Sequence, residues 1–139
     1  MTQDPPFVGI VIVSHSRRIA EGVVELARQM AGDDVPLEGV GGQADGSTGT
    51  DADGIAAAIE RAQAGAGVVV IGDLGSAILA TESAIELLGP TRAGPVIISS
   101  GPLVEGAVVA AVQASIGQSI EEVVAAADAA RDLDKGVNR

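Results

Sequence analysis

Hydrophobic positions along this chain follow two rhythms. Short unbroken apolar runs at Phe7 to Val13, Val68 to Ile71 and Pro95 to Ile98 read as buried strands, and Val35 to Val40 reads as a weaker one. Between them lie segments in which apolar residues recur every three or four positions, the spacing of a helix with one face covered. The first begins near Arg17. Ile19, Val23, Leu26, Ala27 and Met30 fall on its apolar side, Arg17, Arg18, Glu21, Glu25 and Arg28 on its polar side, and Gly32 closes it. The second is capped by Thr50 or Asp51, carries Ile55, Ala58, Ile59 and Ala62, and ends by Gly65. The third buries Ala77, Thr81, Ala84, Ile85 and Leu88 and stops at Gly89-Pro90. The fourth, Leu103 to about Ile116, is apolar nearly all round, which predicts either deep burial or half of a dimer interface. Ser119-Ile120-Glu121-Glu122 is a capping box that opens a last helix.

Strands alternating with helices predict an α/β fold. The expected form is open and doubly wound. It has a mainly parallel four-stranded sheet, order 2-1-3-4, flanked by about five helices. Pro36 has no N–H for a ladder, so the second strand belongs at an edge. No internal repeat or linker is visible. The 139 residues predict one domain, with a core from about 7 to 128 and flexible tails at both ends. The glycine-rich stretch 41–50 is long enough to be a functional or mobile loop.

Composition narrows the function. A net charge of -11 argues against nucleic acid and anionic membrane surfaces. The absence of cysteine removes disulfides, thiolate metal sites and cysteine nucleophiles. A single histidine removes a multi-histidine metal site within one chain, and no metal or cofactor is expected. No basic segment resembling a secretory signal opens the chain, and no apolar run approaches the roughly 20 residues that span a bilayer. The expectation is a soluble, cytoplasmic protein. With one phenylalanine and neither tyrosine nor tryptophan, the core must be built from Ala, Val, Ile and Leu.

His15, the lone histidine, falls between the end of the first strand and the start of the first helix. In an open α/β sheet that is the default place for a ligand or a chemical step. Two other strand-to-helix turns, Asp73-Leu74-Gly75-Ser76 and Ser99-Ser100-Gly101, should reach the same sheet edge. A neutral imidazole, with an unperturbed pKa of about 6.5, attacks phosphorus well near pH 7. It needs one nitrogen held and the other free. A carboxylate such as Asp73 could hold it, and the amino end of the first helix favours a bound phosphoryl group. Ser14, Ser16, Arg17, Gly75 and Ser76 are expected to stabilise that group, with Arg18 adding charge. Each residue also has a plainer reading. A lone histidine is often structural, Asp73 suits a helix cap, Ser14 or Ser16 could merely cap the first helix, and Glu105 complements a helix dipole. No P-loop, dinucleotide fingerprint or aspartyl-phosphate pattern is present. Ser76, His15 and Asp73 could form a hydrolase triad, but no G-x-S-x-G elbow accompanies them.

At Ile10-Val11-Ile12-Val13-Ser14-His15-Ser16 the chain resembles the mannose-type enzyme IIA group of the sugar phosphotransferase system. Within that group it is most similar to the phosphotransfer subunits of phosphoenolpyruvate-dependent dihydroxyacetone kinases. The resemblance continues through Ala20-Glu21-Gly22-Val23, Glu25 to Met30, Gly49-Thr50-Asp51, Asp73 to Ala77, Glu86-Leu87-Leu88 and Pro102 to Gly106, so it covers about Phe7 to Ala127. It implies that His15 takes a phosphoryl group from the phosphocarrier HPr and passes it to ADP on the kinase's nucleotide-binding subunit. It implies that Asp73 is the carboxylate beside that histidine, and that the chain dimerises. Serines flank His15 where the transport members carry glycines, and Gly75-Ser76-Ala77 also departs from them, which favours the kinase branch. A sugar-transport enzyme IIA, or a regulator that signals its phosphorylation state by binding another protein, is the alternative.

Overall fold

The computed structural model describes residues 6–90 and 93–137. The tail expected ahead of Phe7 lies, Pro6 apart, outside the described residues, as do the last two residues of the carboxyl-terminal tail. The elements are β1 (Gly9–Ser14), α1 (Arg17–Ala31), β2 (Leu37–Gly41), α2 (Ala52–Ala62), β3 (Val68–Gly72), α3 (Gly75–Leu88), β4 (Val96–Ser99), α4 (Leu103–Ser115) and α5 (Ile120–Ala129). A 3-10 turn at Ala130–Asp132, absent from the sequence reading, follows α5.

The sheet is parallel throughout in the order β2-β1-β3-β4, as the alternation predicts. All of β1 is buried, and its side chains alternate between two cores. Ile10 and Ile12 join α1, α4 and α5 on one face, and Val11 and Val13 join α2 and α3 on the other. Each such Val or Ile contributes about 1.5–3 kcal/mol by leaving water. β1 therefore anchors both layers. Because the strands run the same way, every strand-to-helix turn emerges at one edge. The crevice between β1 and β3, where the chain's winding reverses, is where such sheets bind ligands.

One helix departs from the expected packing. In α1 the buried ridge is Ala20, Val23 and Ala27, whereas Ile19, Leu26 and Met30 are exposed. Both sets fit a helical period. Small residues win because α1 lies against the sheet and against α4, whose facing side is also small: Gly106, Ala107, Ala110, Ala111 and Ala114 are all buried. That small side of α4 is covered by α1 and α5 within one chain, while Val104 stays exposed and Val108, Val109 and Val112 are half-buried. Glu105 lies in its first turn and pairs with Lys135 at 2.7 Å. The capping box at Ser119 and Glu122 forms as expected.

Gly41 fixes the entry to the 41–50 loop. A Cβ there would lie 2.4 Å from the Ser16 carbonyl oxygen and 2.6 Å from the Arg17 backbone. The end of β2 thus rests directly on the amino end of α1.

Candidate functional site

β1 ends at Ser14, which is fully buried, and His15 follows it into the turn. Ser16 is the N-cap of α1, its hydroxyl accepting from the Ile19 N–H at 3.4 Å. β3 delivers Asp73 to the same edge, and the Asp73 N–H donates to the Val13 carbonyl at 3.1 Å. The two turns are thereby stitched together before any side chain is considered.

Asp73 then receives three bonds. Its Oδ2 accepts the Ser14 hydroxyl at 2.8 Å and the His15 backbone N–H at 3.0 Å. Its Oδ1 lies 2.9 Å from His15 Nδ1. An ionised carboxylate can only accept, so Nδ1 carries a proton. In the neutral ring Nε2 is then the bare nitrogen, and the Ser76 hydroxyl donates to it at 2.5 Å. Burial works to raise the Asp73 pKa. The His15 backbone and side-chain hydrogen bonds, the Ser14 hydroxyl and the His15 charge outweigh it and hold the carboxyl below its ordinary value. The site thus keeps an anion against Nδ1 and aims Nε2 at the exposed start of α3.

Asp73 does not cap α3, whose N-cap is Leu74 with no side-chain bond. Ser14 is also differently employed from the expectation. Its hydroxyl proton goes to Asp73, it accepts the Ser16 N–H at 3.0 Å, and it has no exposed surface. It braces the carboxylate from inside the fold. Ser76 faces Nε2 of His15 from the exposed start of α3. The N–H groups of Gly75 and Ser76, in the first turn of α3, lie beyond the reach of the helix's own carbonyls. Ser99, Ser100 and Gly101 reach the same sheet edge but bond elsewhere: the Ser99 hydroxyl and Ser100 N–H to Asp128 of α5, and the Gly101 N–H to Ser99 Oγ.

Arg17 and Arg18 open α1 on the other side of His15, both exposed. Arg28 bonds the Leu37 carbonyl, Arg61 pairs with Glu38, Arg131 bonds the Asp128 carbonyl and Lys135 pairs with Glu105. Among the described residues, Arg17 and Arg18 are the cations without such a partner. The 41–50 loop lies beside them, its Gly49 N–H donating to the His15 carbonyl at 3.1 Å. The sequence gives no signal for that backbone bond, nor for Ser47 and Thr48, which it brings beside His15. Among the described residues no cluster of three or more metal-binding side chains occurs, and no helix is long and apolar enough to cross a membrane.

The family EIIA-man, described as the PTS system fructose IIA component, matches residues 9–124. The chain belongs to the EIIA-man family. That match spans every element that builds the site. A relative from Escherichia coli, the phosphoryl donor subunit DhaM of PEP-dependent dihydroxyacetone kinase, is 43% identical over 120 residues. That stretch is 84% of this chain and 25% of the relative, so the chain spans about a quarter of that protein's length. The DhaM of a second dihydroxyacetone kinase in Listeria innocua is 41% identical over 117 residues, 84% of this chain and 94% of that one. A crystal structure of a protein of unknown function, EF1359, superposes with a TM-score of 0.81 at 32% identity, covering 95% of this EIIA-man chain and 99% of that one.

Proposed function

We propose that this EIIA-man chain is the phosphoryl donor subunit of a dihydroxyacetone kinase, cycling through phosphohistidine at Nε2 of His15. One observation carries the reading. The only histidine is held by Asp73 at Nδ1 and turned at Nε2 toward a hydroxyl and a helix amino end. The DhaM relatives support the kinase in particular.

In the loading step the Nε2 lone pair attacks the phosphorus of phospho-HPr. A new P–N bond forms, the donor's P–N bond breaks, and its electron pair stays on the donor imidazole. The Ser76 hydroxyl gives up Nε2 and turns to a phosphoryl oxygen. The ring gains positive character, which the Asp73 carboxylate 2.9 Å from Nδ1 stabilises. In the second step a terminal phosphate oxygen of ADP, held on the kinase's nucleotide-binding subunit, attacks the same phosphorus. The Nε2–P bond breaks, its electrons return to the ring, and ATP forms on that subunit. Asp73 is a positioning residue here and not an acceptor, because its oxygens are already engaged by His15 and Ser14.

The chain is further proposed to work as a homodimer in the cytoplasm. Support for the dimer comes from α3, where Leu79 and Leu87 stand exposed, and from the exposed Val104 of α4. Light scattering at micromolar concentration should give twice the chain mass of 13.7 kDa. The central test is incubation with phosphoenolpyruvate, enzyme I and HPr, followed by mass-spectrometric mapping. Acid-labile, base-stable phosphate on His15 is expected, and phosphate on any other residue would overturn the reading.

A further inference from the structure

A cleft of about 340 Å³ opens beside His15, between the first residues of α1 and the tip of the 41–50 loop. Its lining includes His15, Arg17 and Arg18 from the start of α1, and Ser47 and Thr48 from the loop. The loop tip is braced. The Gln43 N–H donates to the Ser47 carbonyl at 2.8 Å and the Gly46 N–H to the Gln43 carbonyl at 2.9 Å. The Ser47 N–H and hydroxyl donate to Asp45 Oδ1 at 2.9 and 2.6 Å. Asp45 is therefore turned onto its own loop. The Thr48 hydroxyl is exposed and has no partner among the described residues.

The arginines have no reason in the fold to be where they are. A helix amino end repels cations and favours acids. α2, α4 and α5 each carry an acid in the first turn and α3 carries no charge there, whereas α1 begins with Arg17-Arg18. Neither arginine pairs with a described residue. Residues that work against their own helix, unpaired, in a chain of net charge -11, have their counter-charge outside the chain.

We propose that this cleft receives the diphosphate of the partner-held nucleoside diphosphate. Arg18 and Thr48 position its phosphate oxygens against phospho-His15, an assignment that rests on the phosphoryl-donor reading above. A phosphoryl group on His15 and an incoming diphosphate repel each other, and the acidic chain adds to that repulsion. Phosphoryl transfer is governed by positioning and by charge placed where the two anions meet. A guanidinium offers a planar fork of donors that fits phosphate oxygens, and a hydroxyl beside it adds one more. The cleft has the volume of a small-molecule site and includes the reacting residue in its lining. These features favour a phosphate-bearing ligand over an acidic patch of a partner protein.

The test separates loading from release. Protein labelled on His15 through phosphoenolpyruvate, enzyme I and HPr is mixed in quenched flow with the ADP-loaded kinase subunit, for wild type, Arg18→Ala, Arg18→Lys and Thr48→Val. Arg18→Ala should lower the maximal release rate by on the order of 10-fold more than it lowers the loading rate. Arg18→Lys should restore part of that loss, and Thr48→Val should show a smaller loss in the same step. A raised half-saturating concentration of the subunit with an unchanged maximal rate would mean that Arg18 grips the partner protein, and would overturn the proposal. Equal slowing of both steps would overturn it too. Wild-type protein that takes no label from HPr would remove the phosphoryl-donor reading and this one with it. Wild type that loads, with Arg18→Ala releasing at the wild-type maximal rate, removes this one alone.

Discussion

Two turns at the same edge of the sheet are built to one plan and do different things. After β1, the Ser14 hydroxyl and the next backbone N–H, from His15, bond one oxygen of Asp73, and the Ser16 N–H bonds Ser14 Oγ. After β4, the Ser99 hydroxyl and the Ser100 N–H bond one oxygen of Asp128, and the Gly101 N–H bonds Ser99 Oγ. Both serines are buried, and both carboxylates come from far along the chain. The serine–carboxylate arrangement is therefore a clamp that fixes the exit from a strand. Whether the clamp becomes a reactive site depends on the middle residue and on what faces it. In the first turn that residue is an imidazole with Ser76 and two free arginines about it. In the second it is the exposed Ser100, and the remaining oxygen of Asp128 has no partner among the described residues.

The largest expected effect separates the two middle residues. His15→Ala should abolish phosphorylation from HPr, and Ser100→Ala should leave it at the wild-type level, as read by mass spectrometry of the labelled proteins. Loss of labelling in Ser100→Ala would mean that the turns cooperate.

The two carboxylates should separate next. Asp73→Asn should slow transfer on the order of 10- to 100-fold, the usual cost of removing a carboxylate that orients a working histidine. Asp128→Ala should leave transfer unchanged in the folded protein. It should cost about 1–3 kcal/mol of stability, because the Ser99 hydroxyl and Ser100 N–H lose their acceptor. Quenched-flow rates and urea melts of both variants make the comparison. A wild-type transfer rate in Asp73→Asn would reduce Asp73 to the clamp role that Asp128 has.

A graft sharpens the contrast. In a His15→Ala background, Ser100→His puts an imidazole within reach of the free oxygen of Asp128. Nitrogen-15 NMR should show the Nδ1-protonated tautomer, yet no phosphoryl group should transfer, because this turn has no counterpart of Ser76, Arg17 and Arg18. Labelling of the grafted histidine would show that clamp and carboxylate suffice.

The smallest effect is in pH. The folded pKa of Asp73 lies below the unfolded value, which for an aspartate is about 3.9. The bonds of its ionised form thus add stability that is fully present above that unfolded value. That stability is lost as pH falls through the folded one. The stability gap between wild type and Asp73→Asn should accordingly be widest near pH 7 and shrink as the solution is acidified below pH 4. A gap that widens on acidification would contradict the sign of the shift.

How far the sequence reveals this molecule follows from the kind of contact involved. β1 and β3 are legible because each is an uninterrupted apolar run, and their adjacency follows from the winding rule, which brings Asp73 to His15. The buried ridge of α1 is not, since Ile19-Val23-Leu26-Met30 and Ala20-Val23-Ala27 share a period and alanine offers little hydropathic contrast. Asp128 is illegible for another reason. It lies in the last turn of α5, 29 and 28 residues from Ser99 and Ser100, which it grips, where a carboxylate opposes the helix dipole and no local rule favours it. The bond from Gly49 to His15 joins two backbones, and backbone groups are the same whatever the side chains.

The glycine at the mouth of the 41–50 loop bears on how such a protein can change over generations. Side chains at the loop tip are exposed and can be exchanged one by one, which leaves room to tune the cleft toward a different acceptor. Position 41 has no such room, because any side chain there would enter the backbone of Ser16 and Arg17. In a saturation library scored for folded protein, positions 43–45, 47 and 48 would be permissive, position 46, with a φ of 90°, would favour glycine, and position 41 would accept glycine alone. The hinge of the loop is frozen so that its tip is free to drift.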